Sequence, residues 1–132
     1  MAKKWKYNLY LKKNQIKNPS FGYSSPLKDL YRNGKLPVKY GFYGDKLTKA
    51  NVSLEHLLPY SKGGKTNLDN LVLSTKQNNF KRGNQPLSIF INFDNVERYL
   101  NQFVDVKIKN FNGNEYIQNI LKTIKNVLKY NL

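Results

Sequence analysis

The sequence predicts an α+β fold in one small domain, residues 1–132. Three observations predict it. The chain has 132 residues, room for a single hydrophobic core. A strand, loop, strand and helix follow one another between Val52 and Gly83. Near the end, Ile117, Ile120, Leu121, Ile124, Val127 and Leu128 recur at helical spacing on one face. Hydrophobic residues make up 39% and aromatics 14%, enough apolar material to exclude a wholly disordered chain.

Residues 1–38 read as a basic extension, in which Lys3, Lys4, Lys6, Lys12, Lys13 and Lys17 interleave with Trp5, Tyr7, Tyr10 and Phe21. Such a mixture suits phosphates and stacked rings, or equally an edge strand guarded by lysines. Ser24 or Ser25 ahead of Pro26 predicts a capped short helix, Pro26 to Arg32, stopped by Asn33-Gly34. A turn between two glycines follows in residues 38–46. Val52 to Leu58 is a β-rich run ended by Pro59, residues 61–70 are a polar loop, and Leu71 to Leu73 is a short strand. A helix is expected from Ser74, with Gln77 reaching back to the cap and Gly83 as the stop. Residues 84–132 read as a packing region: apolar Ser88 to Phe93, a short helix from Asp94 to Phe103, a strand from Val104 to Lys109, and the amphipathic helix after Asn112-Gly113-Asn114.

Lys and Arg number 23 against 8 Asp and Glu, a formal charge of +15, which suits a polyanionic partner such as nucleic acid or an anionic membrane. The chain has no cysteine, which excludes disulfides and thiolate chemistry, so any metal sits on oxygen or on the one histidine. No run approaches the roughly 20 apolar residues of a membrane span, and the lysine-broken N-terminus is unlike a signal peptide. The expectation is a soluble, cytoplasmic protein without a membrane partner.

That histidine, His56, follows Glu55 where the apolar strand runs into Pro59 and a polar loop. A carboxylate and an imidazole at a strand end form a plausible site for a hard cation and a general base, although a lone histidine is more often structural.

The segment LEHLLPYSKGGKTNLDNLVLSTKQNNFKRGN resembles the HNH endonuclease, or ββα-metal, motif. The matching residues are Glu55, His56, Pro59, Gly63, Gly64, Asn70, Leu71 and Asn79. The spacing of nine between Asn70 and Asn79 also fits the HNH domains of RNA-guided nucleases. The resemblance covers residues 39–83 and implies a ββα-metal core with flanking helices. It implies catalytic roles for His56, Glu55, Asn70 and Asn79: His56 activates water, Glu55 and Asn79 hold Mg²⁺ (Mn²⁺ possible), and Asn70 ties down the loop that orients His56. Lys62, Lys65, Lys81 and Arg82 are the candidate phosphate contacts, and the expected partner is DNA, double-stranded, bound by a monomer or homodimer.

Two departures stand out. Many family members carry Asp where Glu55 stands, and many bind a structural zinc through CxxC pairs, where this chain has Tyr40, Phe42 and Tyr43. A small hydrophobic cluster, with the C-terminal helix packing behind it, is therefore expected in place of zinc. The competing readings are a catalytically inactive, HNH-like nucleic-acid-binding or nuclease-inhibiting protein, and a membrane-surface protein built on the last helix. The small size and AT-rich-genome composition, with 19 Asn, resemble HNH proteins of phages and mobile elements.

Overall fold

The computed structural model describes residues 20–132 and confirms a small α+β domain. The basic and aromatic stretch of residues 1–19 lies outside the described residues. Helix α1 (Ser20–Arg32) leads to an irregular segment, then strand β1 (Val52–His56), a 3-10 turn (Tyr60–Lys62), strand β2 (Leu71–Thr75) and helix α2 (Lys76–Arg82). Helices α3 (Leu87–Phe90) and α4 (Phe93–Asn101) follow, then a minimal hairpin of β3 (Lys107–Ile108) and β4 (Phe111–Asn112), and finally helix α5 (Gly113–Lys129).

Helix α1 begins earlier than the expected cap at Ser24 or Ser25, and Pro26 lies inside it. Proline removes one backbone donor there, and the burial of Leu27 against the core outweighs that loss. The end is as expected: Lys35 N–H bonds to Leu30 O at 2.8 Å and Gly34 N–H to Tyr31 O at 3.0 Å. Gly34 takes a φ of 71°, the left-handed closure that glycine permits.

Strands β1 and β2 are antiparallel, with Val52 opposite Thr75 and His56 opposite Leu71. Every residue of β2 is buried. Its backbone is satisfied away from β1 by other groups: Phe42 N–H donates to Leu73 O, Leu73 N–H to the Tyr99 hydroxyl, and the Tyr116 hydroxyl to Leu71 O at 2.7 Å. Tyr99 and Tyr116 also share a hydrogen bond of 2.8 Å. A two-stranded sheet thus has its second edge closed by the Phe42 backbone and two tyrosine hydroxyls, which removes an aggregation-prone edge.

Helix α2 is capped by Thr75, whose side chain accepts from Asn78 N–H, one residue later than the expected Ser74. Ser74 is still paired, opposite Ser53. The strand runs on through Thr75, its last paired residue, opposite Val52, so the cap falls there and the helix begins one residue later.

The expected strand Val104 to Lys109 shrinks to two paired residues, because Asp105 and Asn110 adopt φ of 61° and 65° and turn the chain. Helix α5 buries Tyr116, Ile120, Ile124 and Val127 in the core, so its stripe is mainly a packing face, with Leu121 left exposed. Phe42 meets Tyr99 edge-on, and Tyr99, Phe103, Phe111 and Tyr116 continue the aromatic cluster. Tyr40 and Tyr43 have other duties: Tyr40 lies under the Arg98 guanidinium at 4.2 Å, and the Tyr43 hydroxyl reaches Glu55. Among the described residues, no helix is long and apolar enough to cross a membrane.

Candidate active site

The hairpin and α2 carry the motif residues. His56 ends β1, half-buried, with Nε2 2.9 Å from Thr66 Oγ1 in the following loop and its ring edge-on to Tyr60. Burial lowers the His56 pKa below its ordinary 6.5. The imidazole is therefore neutral at pH 7, the form able to accept a proton.

The loop that carries Thr66 is held by backbone geometry and one buried amide. Gly63 takes a left-handed φ of 96°. A Cβ on Gly64 would stand 1.7 Å from Leu58 O, so only glycine lets the two backbones approach. Asn70 is buried, and its Oδ1 accepts from Leu58 N–H while Nδ2 donates to Leu58 O and Lys65 O. These three bonds tie both ends of the loop. Asn70→Ala leaves the Leu58 amide and two carbonyls unsatisfied and is expected to cost about 2–3 kcal/mol, read from urea denaturation midpoints. A loss within about 0.5 kcal/mol would refute this clamp.

Asn79 sits on α2, and its Nδ2 donates to Leu54 O and to Ser53 Oγ, each at 3.0 Å. The helix is thereby pinned to the strand two residues before His56. With Nδ2 committed, Asn79 Oδ1 keeps its lone pairs as a hard donor.

Glu55 is only 2% exposed. Its Oε2 accepts from the Tyr43 hydroxyl and from Arg82 Nη1, the latter at 3.1 Å. Its Oε1 is buried without a partner. Burial pushes the Glu55 carboxyl above the usual carboxylate range, and the Tyr43 hydroxyl and Arg82 guanidinium oppose that without cancelling it. Burial and the adjoining Glu55 likewise push the Tyr43 hydroxyl well up, keeping it a donor.

Arg82 corrects a sequence expectation. The sequence places it among the phosphate contacts, yet it is 1% exposed. Nη1 bonds Glu55 and His56 O, and Nε bonds Gln85 O. Asn79 and Arg82 are three apart and share a helix face; since Asn79 reaches the hairpin, Arg82 turns inward too. Lys65 and Lys81 are exposed and Lys62 is half-buried, all on the loop or on α2. Thr66 is a site residue that sequence reasoning passed over, since its one signal was membership in the loop opposite His56.

An antiparallel hairpin followed by a helix, with a histidine on the first strand and an amide on the helix, defines the ββα class of nuclease folds. Residues 43–86, a third of the chain, match the family model for HNH endonucleases. No curated protein and no solved structure matches the chain. The match implies nuclease-type hydrolysis; the family acts on DNA and generally uses a divalent metal.

Proposed function

We propose that the protein is a metal-dependent HNH endonuclease that hydrolyses DNA phosphodiester bonds, with His56 activating water. The observation that carries this reading is that α2, which bears Asn79, is pinned by that amide to β1, the strand that ends at His56. We read residues 39–83 as the catalytic core, 1–38 as a basic extension and 84–132 as packing, in a soluble, cytoplasmic monomer or homodimer.

Oxygen donors on Glu55 and Asn79 are of the kind that would hold a hard divalent cation, Mg²⁺ or Mn²⁺. Glu55 Oε1 is a buried carboxylate oxygen with no partner, and Asn79 Oδ1 is an uncommitted amide oxygen. No group of three or more His, Cys, Asp or Glu that could hold a metal occurs among the described residues, so the set is sparse and most of the shell falls to water and phosphate. When bound, the ion would neutralise charge on the departing oxygen. In the tautomer with hydrogen on Nε2, Thr66 accepts that hydrogen and His56 Nδ1 takes the proton of the attacking water. Lys62, Lys65 and Lys81 hold flanking phosphates of duplex DNA. One such site breaks one strand, so a double-strand break requires a dimer or successive nicks.

Supercoiled plasmid is expected to convert to the nicked form with Mg²⁺ or Mn²⁺ and to persist in EDTA. DNA affinity should fall steeply with added salt. Binding without conversion under either metal would overturn the enzyme reading in favour of an HNH-like binding protein or nuclease inhibitor.

A further inference from the structure

Phe80 follows Asn79 on α2 and is 89% exposed, the most exposed large apolar side chain among the described residues. Asn79 and Arg82 face the hairpin, so Phe80 projects from the body of the domain on the flank it shares with Lys76, four residues earlier. A single exposed phenylalanine is ordinary. This one adjoins the proposed site, and its surroundings are basic.

Helix α2 carries no acid. Beside it, burial and the nearby Arg32 and Lys76 cations lower the Lys28 pKa against the opposing pull of Asp29, so cations of α1 and α2 gather there in excess of the one acid. Among the described residues the one ion pair is Arg82 with Glu55, which leaves Lys28, Arg32 and Lys76 without a carboxylate in contact. Clustered cations of this kind are complementary to a phosphate backbone. On the loop side, Tyr60 is 49% exposed and edge-on to His56.

We infer that Phe80 is a wedge that enters the base stack of duplex DNA beside the scissile phosphate, while Lys28, Arg32 and Lys76 hold the backbone alongside. The inference rests on the nuclease reading and deepens it, because it names what the enzyme selects. An apolar wedge unstacks and kinks a base step, and the energy of doing so depends on the step. TA and CA/TG steps and mismatched pairs unstack most readily, so they are the favoured cleavage positions.

The test uses His56→Ala protein, which binds without cutting, and a duplex of about 20 base pairs with 2-aminopurine at a TA step. Fluorescence is expected to rise on binding as the base unstacks. Adding Phe80→Ala should abolish the rise and weaken binding about tenfold, while Phe80→Trp should retain both. In the cutting enzyme, a mismatched duplex should be cleaved about tenfold faster than a matched one, and Phe80→Ala should erase that preference. Tight binding with unchanged fluorescence would overturn the wedge and leave the nuclease reading standing. No DNA binding by the His56→Ala parent would overturn both. A fall of several degrees in Tm on Phe80→Ala would show the ring packed within this chain, which also overturns the wedge.

Discussion

His56→Ala is expected to lower plasmid cleavage by about 10²–10⁴-fold while DNA binding persists. The loss is that of the group that accepts the water's proton, so it falls on kcat and not on affinity. Burial keeps the imidazole pKa below 6.5, which sets the sign of the pH dependence. The neutral ring is the working form; the rate is flat through neutrality and falls only as pH drops below 6.5 and the ring protonates. Folding stability runs in the same direction, because the unfolded chain takes up the His56 proton first as pH falls. Thr66→Val, which deletes the hydroxyl 2.9 Å from Nε2, should lower kcat with KM held. Cleavage by His56→Ala within a few-fold of the parent would eliminate His56 as the base.

The ββα unit was legible because local geometry dictates its signature residues. Gly64 is demanded by a backbone contact with Leu58, and Asn70 is the amide that can serve both strands of the loop. What the sequence concealed depends on partners far along the chain. The choice of Thr75 over Ser74 as cap follows from pairing with Val52, and the tyrosine pair that closes β2 comes from α4 and α5. The expected cluster in place of zinc, with the C-terminal helix packed behind it, includes Phe42 and Tyr116 of that helix, and also recruits Tyr99, Phe103 and Phe111 from the segment between. Arg82 was decipherable in part. Its spacing from Asn79 already placed the two on one face, and the inward direction of that face becomes plain once Asn79 is seen to bond β1.

Arg82→Met is expected to be the most destabilising substitution in the site, by about 3–5 kcal/mol in denaturant unfolding. Arg82 and Glu55 are 1% and 2% exposed, so neither charge has water to fall back on. Methionine fills much of the volume but leaves Glu55 with the Tyr43 hydroxyl alone, and leaves the carbonyls of His56 and Gln85 without their donor. The carboxyl, already pushed above 4.5 by burial, then loses the guanidinium that draws it down. A native pKa raised above the unfolded one contributes stability at low pH that is lost as pH rises through the native value. The deficit of Arg82→Met should therefore be smallest near pH 4.5 and grow toward neutrality. Glu55→Gln in the same background removes the stranded charge and should recover part of the loss, giving a coupling energy of at least about 1 kcal/mol in a double-mutant cycle. A pH-independent deficit below about 1 kcal/mol would mean that the pair is hydrated and that Arg82 does not hold Glu55 and the His56 carbonyl in place.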